Sequence, residues 1–174
     1  MLKVLSVKTS YGKIKKLSPV KAAYIAGFID GEGSISLVRN TKEGYRRLTV
    51  SVSNTDQKVL EWVKNSIGAG QVNAKCDSLK NDFHSTAYFY KIAGRQAFNL
   101  LAQICPYLKI ETKRKRAELI LKNYIKLTPR NGKYSAQILT ERDGFIKKFF
   151  SIPYPGPVKF NPRKSRLIEE IIKT

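Results

Sequence analysis

The sequence predicts a single α+β domain, with four antiparallel strands, helices packed on one face of the sheet, and extra C-terminal helices. Two observations carry this. Apolar residues recur first at helical spacing and then in alternation, twice over, giving the order helix, hairpin, helix, hairpin, helix (αββαββα). The chain has 174 residues, 42% hydrophobic and 26% charged, which is one domain's worth with an ordinary globular balance.

The first helix is announced by Ser18 and Pro19, a hydroxyl available to cap and a proline at the first helical position, where its missing N–H costs nothing. It is expected to run to about Ile29 or Asp30. Ala23, Gly27 and Gly31 fall four residues apart on one stripe with Ala22 and Ala26 beside it, so one face carries almost no side chain. Tyr24 and Phe28 form a second stripe and Ile25 and Ile29 a third, so the helix is apolar nearly all round and needs partners on several sides.

Residues 34–39 then alternate, Ile35 and Leu37 one way and Ser36 and Val38 the other, and 40–44 read as a turn. Residues 46–53 alternate again, with Leu48, Val50 and Val52 opposite Arg47, Thr49, Ser51 and Ser53. Thr55 and Asp56 cap a second helix to Ser66, striped by Val59, Leu60, Val63 and Ile67, with Trp62 at its flank. Gly68 and Gly70 end it. The next strand spans 71–77, with Val72, Ala74 and Cys76 inward and Gln71, Asn73 and Lys75 outward, and its return strand spans 83–92. Aromatics at 88, 89 and 90 leave the register of that strand open. Gly94 breaks it, a third helix follows over 95–105 through Phe98, Leu101 and Ala102, and Pro106 stops it.

A dense basic run over 109–116 precedes a helix expected over 117–127, and residues 135–150 are helical by pattern. Pro153, Pro155, Pro157 and Pro162 mark an extended segment ahead of a last amphipathic stretch at 163–173. The organisation read from this is a basic arm at 1–18, a core at 19–127 and a helical extension at 128–174 packed on that core within one domain.

Charge narrows the function. Lys and Arg number 33 against 13 acids, a formal +20, and a surplus of this size in a folded domain most often faces a polyanion. No apolar run approaches the roughly 20 residues of a spanning helix, and residues 1–16 lack a signal-peptide core, so no membrane partner and an intracellular setting are expected. Cys76 and Cys105 have no zinc-like spacing and read as small core residues.

Residues 25–33, Ile-Ala-Gly-Phe-Ile-Asp-Gly-Glu-Gly, place two acids among three glycines at a helix end, where a carboxylate meets the unfavourable pole of the helix dipole. This stretch resembles the signature of the LAGLIDADG homing endonucleases, Leu-Ala-Gly-Leu-Ile-Asp-Ala-Asp-Gly, and continues through Ser34 and Ile35 into a strand as that motif does. The αββαββα order is similar to the family's core over about 19–126.

The resemblance implies a site-specific double-strand DNA endonuclease, intron-encoded, in which a single motif means a homodimer. The two signature helices then pack together through Ala23, Ala26, Gly27, Asp30 and Gly31, and the last acid of each serves the scissile phosphates. By position that acid is Glu32, where the family's commonest residue is Asp. It would bind Mg2+ with help from the Gly31 carbonyl, because hard oxygen ligands suit that ion. Lys113 matches a lysine beside the cleavage site, with Lys115 the alternative, and Asn54 and Lys58 match polar residues that order water there, although capping and solvation explain them about equally well. His84 is a poor candidate for a general base.

The polar sheet face would lie in the major groove, with Ser36, Val38, Asn40, Arg47, Thr49, Ser51, Gln71, Asn73 and Lys75 reaching bases; Arg47 would favour guanine and Asn73 adenine. For an arbitrary hairpin the better expectation is that such a face meets water. The alternatives within the family are an RNA-binding maturase acting on intron RNA, which needs the basic surface but not Glu32, and a DNA-binding regulator that has lost cleavage.

Overall fold

Ser18 and Pro19 begin helix α1 (Pro19–Glu32), the Ser18 Oγ accepting the Lys21 backbone N–H at 3.4 Å. A computed structural model describes residues 12–39, 41, 44–75, 86–130 and 134–153. The helix passes its expected end by two residues, so Asp30 and Glu32 both lie in its last turn. Strand β1 (Gly33–Val38) follows directly and pairs antiparallel with β2 (Arg47–Asn54), Gly33 opposite Val52 and Val38 opposite Arg47. The Asp56 side chain caps α2 (Gln57–Ile67) through the Lys58 N–H, and Gly68 ends it in the left-handed region at φ +74°.

Strands β3 (Gln71–Ala74) and β4 (Tyr88–Ala93) complete a four-stranded sheet of order β1-β2-β4-β3, every neighbouring pair antiparallel. Pairing resolves the register that the aromatics left open. Tyr90 and Ile92 face the core and Phe89 and Lys91 the opposite face, because Val52 and Val50 sit across from Tyr90 and Ile92. The Tyr90 hydroxyl donates to the Ala69 carbonyl at 2.8 Å, and burial pushes its pKa well up.

Helix α3 (Gly94–Ile104) buries Ala97, Leu100, Leu101 and Ile104 rather than the expected Phe98–Leu101–Ala102 stripe; Phe98 is half-buried and Ala102 exposed. After a 3₁₀ turn (Cys105–Tyr107), α4 (Glu111–Asn123) starts six residues before the expected 117, taking much of the basic run into its first two turns. Helix α5 (Ala136–Ser151) follows. All the helices contribute to one core, in which Ile25, Ile29, Leu60, Leu100 and Phe149 join Ile35, Leu48 and Tyr90 of the sheet.

Both flanking segments are tied to this core. Of the basic arm, Lys15 donates its backbone N–H to Ile67 O at 2.8 Å and Leu17 donates to Gln103 Oε1 at 2.7 Å, so residues 12–18 lie on α2 and α3. In α5, Arg142 is 4% exposed and donates to the carbonyls of Leu127 (2.9 Å) and Arg46 (2.7 Å) and to the Tyr134 hydroxyl (2.9 Å), with the rings of Tyr45 and Tyr134 each 5.0 Å from its guanidinium carbon. A buried arginine so paired fastens the loop end of the β1–β2 hairpin, at Arg46, to α5. Residues 1–11, Cys76, His84 and the stretch 163–173 lie outside the described residues, while Cys105 is a buried free thiol, as expected. No described helix is long and apolar enough to cross a membrane.

Candidate active site

The C-terminus of α1 and the N-terminus of α4 are joined by two reciprocal contacts. Asp30 Oδ2 accepts the backbone N–H groups of Lys109 (2.6 Å) and Ile110 (3.2 Å), directly ahead of α4, whose own N-cap residue, Ile110, offers no side-chain acceptor. Lys113, in the first turn of α4, sends its ammonium back to the carbonyls of Ile29 (2.8 Å) and Asp30 (2.5 Å) in the last turn of α1. Each charge thus meets the favourable pole of the other helix, the carboxylate at an N-terminus and the ammonium at a C-terminus. This gives Asp30 its place at the end of a helix whose own dipole opposes it. It also carries α1 through Gly31 to Glu32, because carbonyls that would otherwise fray are satisfied.

Burial lowers the Lys113 pKa, and the nearby Asp30 and Glu32 carboxylates pull the other way. Lys115 points elsewhere, pairing with Glu111 at 2.7 Å on the exposed side of α4, as Arg114 does with Glu118 at 3.1 Å. Of the two lysines left open by spacing, Lys113 is the one at the junction. Asp30 Oδ1 is buried with no hydrogen-bond partner, while Glu32, one residue past exposed Gly31, is itself exposed. Asn54, two residues past the Val52 that faces Gly33, stands at the same end of the sheet, but its Oδ1 accepts the Asp56 N–H at 2.8 Å in a local turn. Lys58 is exposed in the first turn of α2.

The outer faces of α1 differ from the expected interface in two members. Ala26 is wholly enclosed by the chain's own core and Asp30 is committed to α4, so neither lies on an open face. Ala23, Gly27 and Gly31 are exposed, Val20 (79%) and Tyr24 (52%) join them, and a Cβ placed at Gly27 or Gly31 would meet nothing within 4 Å. Trp62 of α2 stands edge-on to Tyr24, ring centroids 5.0 Å apart.

The face of the sheet away from the helices carries, through its pairing, Ser34, Ser51, Lys91 and Gln71 in one row, Ser36, Thr49 and Ala93 in the next, and Val38 with Arg47 beyond. Ser34 and Ser51 share a hydrogen bond at 3.1 Å. Asn73 lies opposite Phe89, Lys75 follows β3 exposed, and Thr49 shares the face but is buried. Asn40 lies outside the described residues. Ser34, Phe89 and Lys91 are members of this face that the sequence reading did not name. The signal was the apolar alternation of Tyr88, Tyr90 and Ile92, which turns 89 and 91 outward.

The profile of a family described as LAGLIDADG endonuclease matches residues 25–117, more than half of the chain, from within α1 to within α4. The chain belongs to that family. It is 29% identical over 115 residues to the DNA endonuclease I-CvuI of Chlorella vulgaris, covering 62% of this chain and 66% of that protein, just under two thirds of its length. Among solved structures, the LAGLIDADG meganuclease I-CpaMI bound to uncleaved DNA matches at a TM-score of 0.54 with 13% identity, covering 80% of this chain and 52% of that one. The LAGLIDADG homing endonuclease I-GzeII in complex with its DNA target matches at 0.51 with 19% identity, covering 87% and 48%. These likenesses bear on the fold: an α+β core with a four-stranded antiparallel sheet.

The donor chemistry at the junction suits a hard divalent cation in one respect and limits it in another. Glu32 offers an exposed carboxylate next to the Gly31 backbone, while Lys113 occupies the Ile29 and Asp30 carbonyls and not that of Gly31. No group of three or more His, Cys, Asp or Glu side chains that could hold a metal occurs among the described residues.

Proposed function

We propose that this chain is a site-specific double-strand DNA homing endonuclease that acts as a homodimer through the open face of α1, with Glu32 of each copy holding Mg2+ at the scissile phosphates. The observation that carries the reading is the placement of Glu32. It is exposed at the tip of a helix whose open small-residue stripe ends beside it and whose last turn is locked by Asp30 and Lys113. A second copy packed along that stripe brings two Glu32 carboxylates together, which supplies the shared acid that one chain lacks. That the chain covers 52% and 48% of two solved relatives accords with one copy forming half of the assembly.

When bound, the divalent ions neutralise charge on the phosphate and favour an attacking hydroxide. The chain's own residues do the rest. Glu32 would hold the ions with the Gly31 backbone beside it, and the Lys113 ammonium, fixed one turn away, keeps positive charge beside the developing negative charge on phosphorus-bound oxygens. Asn54 and Lys58, at that end of the sheet, order water around the site. The sheet face with Ser36, Ser51, Lys91, Gln71 and Asn73 enters the major groove, each copy covering about 10 bp, so the target is a pseudo-palindrome of about 20 bp.

The test is cleavage of a randomised duplex library with magnesium, beside Glu32→Gln protein and a magnesium-free control. The expected result is cutting at a near-palindromic site, reduced about 10³-fold or more by the substitution and abolished without metal. Tight binding with no cutting under any divalent ion would overturn the nuclease, and an intron RNA would then be the substrate to offer.

A further inference from the structure

Arg47 stands between two openings beside the sheet. One, about 460 Å³, is lined by Arg47, Gly94, Arg95, Tyr124, Thr128 and Arg130 among others, and the second, about 360 Å³, by Arg47, Gln71, Lys91 and Gln96 among others. Neither has an aspartate or glutamate in its lining among the described residues. Guanidinium and ammonium groups lining such openings hold them at positive potential, which favours an anion there.

The backbone makes room for this arrangement. Gly94 takes φ +62°, and a Cβ there would sit 2.9 Å from both Nε and Nη2 of Arg47. The Arg47 guanidinium therefore crosses from β2 to the end of β4 and lies flat against Gly94. A side chain that reads guanine must instead stand out from the sheet into the groove. Arg95 is steadied by donating from Nη2 to the Thr128 carbonyl at 2.6 Å, which uses one of its five N–H groups. The planar fork of a guanidinium matches phosphate oxygens in pairs.

We infer that the cleft between Arg47, Arg95 and Arg130 is a phosphodiester site for the DNA strand running beside the sheet, which makes Arg47 a backbone contact and not a base reader. The inference rests on the DNA-endonuclease reading and adds to it a site for the backbone at the start of α3. It gives Gly94 a purpose besides breaking a strand: any side chain there would push Arg47 out of the cleft.

The test measures dissociation constants for the cognate duplex and for a panel of single-base variants, across a salt series, with Arg47→Ala, Arg95→Ala, Arg130→Ala and Arg95→Lys proteins checked for unchanged melting. Each alanine variant is expected to weaken binding on the order of tenfold at physiological salt, by the same factor for every duplex, and to lower the slope of log K against log salt by about one. Arg95→Lys is expected to keep most of the slope. A loss in Arg47→Ala confined to one base pair, or slopes unchanged in all three alanine variants, would overturn the site. Were Arg95→Ala to unfold, Arg130→Ala, at an exposed position, still decides the matter. Wild-type protein that bound no duplex would instead remove the endonuclease reading itself.

Discussion

Gly33 and Gly31 stand two residues apart at the end of one helix, yet they are glycine for opposite reasons. At Gly33 an added Cβ would lie 2.7 Å from Ile29 Cα, 2.8 Å from Ile29 O and 3.0 Å from Ser51 O, all backbone atoms of the chain itself. At Gly31, and at Gly27 one turn earlier, it would meet nothing. The first glycine lets α1 turn into β1 against β2, a demand of the fold. The other two weaken the exposed face of α1 by about 0.5–1 kcal/mol each relative to alanine, and no described residue occupies the space they leave. Gly27 and Gly31, on a helix carrying exposed Val20 and Tyr24, leave the open face that the homodimer proposed above would use.

The largest effect expected from probing this contrast is at the lock beside it. Lys113→Met removes the ammonium from the Ile29 and Asp30 carbonyls, and cleavage should fall about 100-fold while DNA binding changes little; equal losses in both would reduce Lys113 to a structural role. Gly33→Ala should lower stability by about 1–3 kcal/mol in a denaturant titration, because the atoms it meets are backbone and yield poorly. Gly31→Ala should do the reverse to the isolated chain, raising its stability by about 0.5–1 kcal/mol, while weakening self-association in sedimentation. A Gly31→Ala protein destabilised as much as Gly33→Ala would erase the distinction.

Much of this was legible in the sequence, for a physical reason in each case. The capped start of α1, the alternation of β1 and β2 and the amphipathic α2 follow from short-range periodicity and cap chemistry, and the signature announced Glu32. What the sequence hid was set by contacts between distant residues. Asp30 and Lys109 are 79 positions apart, and only their hydrogen bond shows that Asp30 caps α4. Ala26 and Ala23 look alike in sequence, but the packing of the sheet and α3 against α1 encloses one and leaves the other open. The basic run read as preceding a helix from 117, and its helical start at Glu111 shows only once Asp30 is there to cap it. Lys91 was missed because three consecutive aromatics obscure which face of β4 is buried until Val50 and Val52 fix the register.

In the homodimer proposed above, the open face of α1 joins two copies and thereby completes the catalytic site. The most direct test is the mass of the protein, free and on its target duplex, for wild type and Gly27→Leu, with double-strand cleavage measured on the same samples. The expected result is a wild-type dimer that cuts, and a Gly27→Leu chain that melts no lower than wild type, sediments as a monomer and makes no double-strand breaks. A wild-type monomer on cleaved DNA, or a Gly27→Leu protein that cuts at the wild-type rate, would contradict it.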